Sequence, residues 1–361
     1  MKSLPLHHFH KNSGAVFKEI GEFSIPDHYG NVEEELLAIN HHVALLDRSY
    51  LGKIALKGKD GIDLLNRIST NDLQYLSVGA MVDTVFTTPK GRLIDYCRVI
   101  NTGEEIGLIS SFMKAGHLIE WINRFIILEE AELRDISDIY CWMTLIGPKS
   151  KLALSQITGK VIPEREEIIW LKIEGESFPA FINKNFKVPA YNFCFPVKNA
   201  EKIAAFLVEN INKLDGCIVG DNAFQIIRVE SGMPDWGTEI TQDYNPHEAR
   251  LTNAISFTKG CYTGQEVIAR LDTYDKVQKY LMIIELSEKI SSLPPLDVFI
   301  EDEAIGHLTS YVFNPVSTRS VGLGYINKMY TTENSIYVEI FNGERRVPGK
   351  LFLPPQAFDE I

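Results

Sequence analysis

The sequence lacks an excess of positive charge and any long apolar run. Its 361 residues contain 36 Lys and Arg against 48 Asp and Glu, which gives a formal net charge of −12. Phosphate backbones and acidic membranes are bound through clustered Lys and Arg, so this balance argues against non-specific binding to either. No apolar stretch approaches the ~20 residues of a membrane span, and no positively charged start leads into an apolar run. We therefore expect a soluble, cytoplasmic protein.

The chain also lacks the cysteine and histidine spacing of a metal site. Its five cysteines are Cys97, Cys141, Cys194, Cys217 and Cys261. They are odd in number, widely separated and without a C-x-x-C pair, which favours reduced thiols over a disulfide framework or a zinc site. His7, His8 and His10 lie near the start, where we expect a frayed, solvated terminus rather than a metal-binding tract. We predict no bound metal.

Common nucleotide-binding and hydrolase motifs are missing as well. Gly322-Leu323-Gly324 is not followed by the third glycine of a dinucleotide-binding loop. The sequence contains no P-loop, no H-E-x-x-H and no G-x-S-x-G. The candidate functions must therefore be sought in less common motifs.

The order of predicted elements indicates an α+β protein that ends in a β domain. Up to about residue 275 the pattern of strands and helices resembles two successive β-α-β-β-α-β units, with Ala200–Ile211 as one clear amphipathic helix. From about Tyr280 onward, short strand-like segments are separated by Pro, Gly and Asn turns. That pattern is typical of a small β-barrel or sandwich. At 361 residues, two or three domains are expected.

The most distinctive local motif is Lys259-Gly260-Cys261-Tyr262-Thr263-Gly264-Gln265-Glu266. Thr263 and Glu266 have the spacing of a capping box, which predicts a helix start with Cys261 just outside it. A helix N-terminus and a neighbouring lysine both lower the pKa of a thiol, so Cys261 is the candidate reactive cysteine. Tyr262 offers an aromatic face beside it. A buried, inert cysteine in a tight turn is an equally good interpretation of the residues alone.

A second candidate is the carboxylate of Glu230. The stretch Asp221–Pro234 predicts a helix that ends at Gly232, which places Glu230 in the last turn, facing the negative end of the helix dipole. A carboxylate there could accept two parallel hydrogen bonds from an amidine-like edge such as that of a pterin. On position alone, a simple pairing with Arg228 or with solvent is favoured.

A third candidate is the carboxylate of Asp95. It lies in the strand that leaves the Pro-Lys-Gly-Arg turn at residues 89–92. An acid in this otherwise apolar strand lies either on a solvated face or in a cavity. The residues alone favour the solvated face.

Together these motifs resemble the YgfZ-type branch of the glycine-cleavage T-protein superfamily. The string KGCYTGQE at Lys259–Glu266 is similar to the signature of that branch, and Arg228–Pro234 resembles the folate-site segment of the superfamily. Leu45–Ser49 and Ser69–Leu73 look like its N-terminal patterns.

The resemblance implies a three-domain cloverleaf around a central folate channel. It has two ferredoxin-like α+β domains and a C-terminal β-barrel. We expect a discontinuous folate-binding domain at residues 1–50 and 138–275, a second α+β domain at 51–137, and the barrel at 276–361.

The resemblance also implies roles for individual residues, with tetrahydrofolate or a one-carbon derivative as the cofactor. Glu230 would hold the pterin edge, and Asp95 would face the reactive nitrogens of the folate. Lys259 and Arg270 would serve the anionic glutamate tail, and Tyr262 is counted among the cofactor-binding residues. Cys261 would be the essential thiol.

Two functions follow from the resemblance. The first is a tetrahydrofolate-binding protein that assembles or repairs iron–sulfur clusters through Cys261, with iron–sulfur assembly proteins or their clients as partners. The alternative is an aminomethyltransferase or related demethylase that transfers a one-carbon unit to tetrahydrofolate, which as a T-protein would need a lipoyl carrier protein. A folate-binding scaffold without chemistry stays open.

Two departures from the T-protein pattern favour the first function. Asp95 is followed by Tyr96 instead of a second acid, and Ile109-Ser110-Ser111 stands where an Asn is usual. The residues leave open whether the protein is an enzyme.

Overall fold

Eight helices and twenty strands are found in a computed structural model that describes residues 2–112, 115–162, 168–183, 186–332 and 335–354. The helices are α1 His7–Asn12, α2 Val32–His41, α3 Gly61–Ile68, α4 Ala115–Asn123, α5 Ser150–Thr158, α6 Ala200–Asn212, α7 Asp221–Glu230 and α8 Gln265–Thr273. The first ten strands are β1 Lys2–Ser3, β2 Val16–Ile20, β3 Phe23–His28, β4 Ala44–Asp47, β5 Leu51–Lys57, β6 Met81–Thr87, β7 Leu93–Asn101, β8 Ile106–Phe112, β9 Glu132–Asp135 and β10 Tyr140–Ile146. The other ten are β11 Ile168–Ile173, β12 Glu176–Ile182, β13 Ala190–Pro196, β14 Cys217–Val219, β15 Lys279–Leu286, β16 Leu296–Ile300, β17 Glu303–Asn314, β18 Arg319–Asn327, β19 Ile336–Phe341 and β20 Arg346–Phe352.

The described chain divides into two units. Unit one contains residues 2–53 and 135–227, and unit two contains residues 54–134 and 228–354. The division into three domains expected from the sequence stays a prediction. Over the residues described, no helix is both long and apolar enough to cross a membrane.

Unit one is built on a six-stranded sheet with the order β11-β12-β13-β10-β4-β14. Strand β10 pairs antiparallel with β13 and β4, while the short β14 runs parallel to β4. Helix α6 buries Ile203, Leu207 and Ile211 in the core that contains the sheet residue Phe193. These apolar residues recur at the helical period, which is why the sequence predicted this helix correctly.

The start of unit one differs from the expected frayed terminus. His10 lies in α1 and is fully buried, with its Nε2 2.7 Å from Asp47 Oδ2. Because an ionised carboxylate only accepts, Nε2 donates to Asp47, and Nδ1 lies 2.6 Å from the Tyr29 hydroxyl, within hydrogen-bond distance. The expectation of a solvated terminus is wrong because a partner 37 residues away holds the imidazole in the interior.

Unit two contains a five-stranded sheet and a closed barrel. The sheet order is β6-β7-β8-β5-β9, and helices α3 and α4 contribute to its core through residues such as Leu65 and Leu118. The barrel closes in the order β15-β18-β17-β16-β19-β20. The predicted α+β class with a C-terminal β-barrel is confirmed.

Helix α7 ends as its sequence predicts. Its last residue is Glu230, and Gly232 adopts a φ of 71°, a left-handed conformation that glycine reaches without steric cost. The Met233 N–H then donates to the Arg228 carbonyl at 3.0 Å, which satisfies one of the free carbonyls at the helix end. The chain therefore turns sharply just after Glu230.

Candidate functional site

Glu230 ends helix α7 with its side chain half-buried. Its Oε1 accepts a hydrogen bond of 2.9 Å from Nδ2 of Asn314, the last residue of strand β17. Arg228, the partner considered for Glu230 from the sequence, directs its guanidinium to Glu239. The candidate pterin carboxylate is therefore bonded to the barrel, which local sequence could not reveal.

A buried charge cluster lies beside Glu230. Arg228 Nη1 lies 3.1 Å from Glu239 Oε2, and Arg228 Nη2 donates to the Ser310 hydroxyl at 2.9 Å. Glu239 is fully buried, and its carboxylate also accepts from the hydroxyls of Thr238, Thr309 and Ser310. Such a buried pair needs these extra donors to offset the loss of water. Sequence reasoning did not single out Glu239, because its partners Thr309 and Ser310 lie about 70 positions later in the chain.

Asp95 is fully buried in strand β7, so the expectation of a solvated face is wrong. Its Oδ1 accepts hydrogen bonds from both the backbone N–H and the hydroxyl of Ser111 in strand β8. Asp95 shares its face of β7 with Cys97 and Val99, which belong to the core of the sheet. Burial, and then the charge and hydrogen bond of Asp95, raise the pKa of the Cys97 thiol. Ser111, which supplies both donors, lies in the stretch Ile109–Ser111 where the resemblance to the T-protein implies an Asn.

Tyr96, the residue that replaces the second acid of the T-protein, is bonded to an acid on the neighbouring strand. Its hydroxyl donates to Asp83 Oδ2 at 2.7 Å. The same carboxylate binds Arg98 through two parallel hydrogen bonds of 2.7 and 2.8 Å. This bidentate pair fixes the Asp83 carboxylate on strand β6.

Lys259 is buried and bonded entirely to backbone. Its Nζ donates to the carbonyls of Asn66, Ser69 and Asn71 at 2.6, 3.0 and 2.5 Å. An ammonium has three donors, so this arrangement uses all of them. Burial lowers the pKa of Lys259 to about 8. In this geometry the side chain holds its loop against the last turn of α3 and the segment that follows, and all three N–H groups of the ammonium are already used.

The capping box predicted for the Cys261 motif is absent, and that expectation is wrong. Helix α8 begins at Gln265, and its N-cap is Gly264 in a left-handed conformation (φ 85°) without a side-chain cap. A Cβ at Gly264 would lie only 2.7 Å from Thr87 Oγ1 and from the Thr88 carbonyl. Close packing against the turn after β6 therefore decides this helix start. Cys261 lies three residues before the N-cap.

Cys261 is the exposed thiol among the five cysteines. Cys97 and Cys141 are buried, and Cys194 and Cys217 are half-buried. Burial raises the pKa of Cys194 to about 12 and that of Cys217 to about 11, and it also raises the pKa of Cys141. Because the thiolate is the reactive form, Cys261 is the best placed of the five to react.

The remaining predicted residues also lie in unit two. Arg270 is exposed and pairs with Glu266 one helical turn earlier, with Nη2 2.8 Å from Oε1. The ring of Tyr262 is buried with its centroid 5.3 Å from Lys259 Nζ, and burial raises its pKa to about 12. Across the described ranges, no group of three or more His, Cys, Asp or Glu side chains is arranged to hold a metal ion.

Two family models match consecutive parts of the chain. The GCVT N-terminal domain matches residues 6–259, and the glycine cleavage T-protein C-terminal barrel domain matches residues 280–358. Together the two models cover most of the α+β part of the chain and most of the C-terminal barrel.

Individual relatives cover most of this chain at low identity. A chloroplastic protein of Arabidopsis thaliana, named for an inferred transferase activity, is 29% identical over 317 residues, which is 86% of this chain and 71% of the relative. The aminomethyltransferase of Thermotoga neapolitana is 25% identical over 349 residues, 95% of this chain and 94% of the relative. The crystal structure of the glycine cleavage system aminomethyltransferase T from Bartonella henselae superimposes with a TM-score of 0.85 at 19% identity, covering 97% and 96% of the two chains.

Proposed function

The chain belongs to the glycine cleavage T-protein family, and from that premise we propose that it binds tetrahydrofolate and transfers a one-carbon unit to it. The aminomethyltransferases among its relatives favour this alternative over the iron–sulfur function that the sequence motif first suggested. The donor would be an aminomethyl group on a lipoyl carrier protein, from which the methylene passes to the folate while its carbon–sulfur bond breaks to leave the thiol and its nitrogen leaves as ammonia. Alternatively, the donor would be a small methylated amine whose methyl group passes intact to a folate nitrogen, which leaves the demethylated amine.

The observation that carries the proposal is the placement of Glu230. Its carboxylate lies at a sharp helix end and accepts a hydrogen bond from the side-chain amide of Asn314. An acceptor of this kind suits the N–H and amino group of a pterin, which present two parallel donors. Glu230 would therefore fix the orientation of the folate.

Asp95 would act on the reacting nitrogen. Its carboxylate is held by two donors from Ser111 in a buried setting, where electrostatic effects are stronger than in water. There it would accept the proton that a folate nitrogen gives up as that nitrogen forms its bond to the one-carbon unit. The second acid of the T-protein pattern is replaced by Tyr96, so Asp95 would do this work alone.

Calorimetric titration with tetrahydrofolate, under argon, tests the binding step. We expect saturable binding by the wild type and a loss of about tenfold or more in affinity for Glu230→Ala, since a charge-assisted hydrogen bond pair is removed. Glu209→Ala removes an exposed helical carboxylate of unit one and serves as the control. Equal affinities in the wild type and Glu230→Ala would sink the assignment.

Turnover tests the transfer step separately. With an aminomethylated lipoyl carrier protein as donor, Asp95→Asn should retain folate affinity while losing about 10²–10⁴-fold in rate, the usual contribution of a general base. A wild-type protein that binds folate but transfers nothing would leave the binding proposal standing and remove the transferase.

A second candidate function is favoured by the exposure of Cys261. This thiol would take part in iron–sulfur cluster assembly or repair. A partner protein would supply the other ligands of the cluster, because the described residues contain no group of three or more side chains that could hold a metal ion. The test is the rate at which a cluster passes from a loaded scaffold protein to an apo-ferredoxin. Acceleration by the wild type but not by Cys261→Ser would support it, and equal rates would exclude a role for the thiol.

A further inference from the structure

We infer that Asn314, at the end of barrel strand β17, is a positioning residue for the carboxylate of Glu230. The inference rests on the proposed function, because it assigns a task to Asn314 only if Glu230 binds the pterin. It makes the C-terminal barrel part of the folate site, through a residue that no motif in the sequence singled out.

The orientation of the Asn314 amide is fixed by the hairpin that follows it. Its Oδ1 accepts from the backbone N–H groups of Val316 and Ser317 at 3.0 and 3.2 Å. Only the oxygen of an amide can accept, so the Nδ2 group must face the other way. It faces Glu230, where it donates to Oε1 at 2.9 Å.

This contact holds one oxygen of Glu230 by a buried donor. Asn314 is only 4% exposed, so water does not compete well for the bond. A carboxylate oxygen has two lone pairs, and a donor on one of them leaves the other able to accept from a ligand. Asn314 therefore fixes the plane of the carboxylate before a ligand arrives, which reduces the ordering that binding would otherwise require.

The same strand also fixes the helix end that carries Glu230. Arg228, two residues before it, donates to the Ser310 hydroxyl of β17 and pairs with Glu239. Glu239 in turn accepts from Thr309 and Ser310 of that strand. Three residues of β17, at positions 309, 310 and 314, thus contact the last turn of α7 directly or through Glu239.

Two arginines near Glu230 could affect how folate binding depends on pH. Arg319, at the start of strand β18, is close enough to attract Glu230 electrostatically, although its hydrogen bonds go to Glu285. Arg228 lies on the same helix turn. Both cations remain charged at every pH at which the protein is folded, so they do not themselves create a pH dependence.

Asn314→Asp is the informative variant. An aspartate keeps an oxygen that can accept from Val316 and Ser317, and Asp is favoured in such turns, but the donor to Glu230 is lost. Two facing carboxylates raise the pKa of one of them. We expect tetrahydrofolate affinity to fall about tenfold or more at pH 8 and to recover as the pH is lowered to about 5.5, where a protonated Asp donates as the amide did.

Two further variants complete the test. Thr318→Asp adds the same charge at an exposed position of the same hairpin and should bind like the wild type at each pH. Asn314→Ser keeps a turn-forming oxygen but is too short to reach Glu230, so it should weaken binding without adding a pH dependence. If Asn314→Asp does not fold, the tetrahydrofolate affinity of Asn314→Ser still tests the positioning role.

The outcomes separate the inference from the proposed function. If Glu230→Ala loses affinity while both Asn314 variants bind like the wild type with the same pH profile, the positioning role is wrong and the folate site stands. If Glu230→Ala binds tetrahydrofolate with the affinity of the wild type, Glu230 does not bind the pterin and the positioning role of Asn314 is also wrong. A loss confined to Asn314→Asp and equal at all pH values would mean general charge repulsion and would also overturn the inference.

Discussion

Each unit of the molecule contains a buried acid that ties distant parts of the chain together, and the two acids are paired differently. In unit one, Asp47 is bonded to the imidazole of His10 and to the Ser49 N–H. In unit two, Glu239 is bonded to the guanidinium of Arg228 and to several neutral donors. The comparison indicates that the unit-one anchor depends on a side chain that can lose its charge, whereas the unit-two anchor depends on one that cannot.

The largest expected effect is in unit two. Arg228→Ala would leave the fully buried Glu239 without its cation, and breaking a buried ion pair in this way costs about 3–5 kcal/mol of unfolding free energy. Urea unfolding followed by circular dichroism measures it.

An exposed arginine of the same unit provides the control. Arg345→Ala removes a guanidinium that pairs with Glu288 in solvent, which should cost less than about 1 kcal/mol. Similar losses for Arg228→Ala and Arg345→Ala would show that the buried cluster does not anchor the helix end.

A smaller loss is expected in unit one. His10→Ala removes one charge-assisted hydrogen bond to Asp47 but leaves the Ser49 donor, so we expect a cost of about 2–3 kcal/mol at pH 7. His8→Ala, at an exposed position of the same short helix, should stay within about 0.5 kcal/mol of the wild type. If His10→Ala does not change the unfolding free energy, the terminus is frayed as the sequence predicted.

The pH dependence sharpens the same comparison. Burial by itself would raise the pKa of Asp47, but the hydrogen bond and charge of His10, with the bonds from Ser49, hold it below its usual value. A carboxyl with a lowered pKa stabilises the fold above its unfolded pKa of about 4, and the effect is lost as the pH falls through the folded value. Without His10, burial should dominate, so the gap between the wild type and His10→Ala should narrow from about pH 7 to pH 4. A constant gap would contradict this.

The smallest effect on stability is expected at the exposed thiol. Cys261→Ser should change the unfolding free energy by less than about 0.5 kcal/mol, as for other surface substitutions. In the native wild type, iodoacetamide should label Cys261 well before the four covered cysteines, which peptide mass spectrometry resolves. Labelling of Cys141, Cys194 and Cys217 as fast as Cys261 would indicate that unit one opens more readily than its burial suggests.

Helix α7 shows what the sequence was able to predict. Its apolar period, the glycine after its last turn and the proline beyond are all local, so the helix and the position of Glu230 followed from about fourteen residues. The partner of Glu230 is 84 positions away and did not follow. The fold class was predictable for the same reason as α7, because it depends on the order of local patterns.

The failures share one physical cause, which is contact between segments far apart in sequence. The role of Lys259 toward an anionic ligand stays a prediction, but its three carbonyl partners, 188–193 positions earlier, did not follow from the sequence. The sequence predicted a capping box at Thr263, but the helix begins after Gly264, which packs closely against the turn near Thr87. Asp95 looked solvated because alternation in a strand does not say which face is covered. In each case tertiary packing overrode a local preference.

The closed barrel also bears on how the protein behaves at high concentration. Each of its six described strands has a partner on both sides, so it offers no open hydrogen-bonding edge to another molecule. The six-stranded sheet of unit one ends instead at β11, where Trp170 is 59% exposed and Lys172 also faces solvent. Strand β11 is therefore one of the open sheet edges in the described part of the chain to which another strand could pair, and Lys172 places a charge there that opposes such pairing.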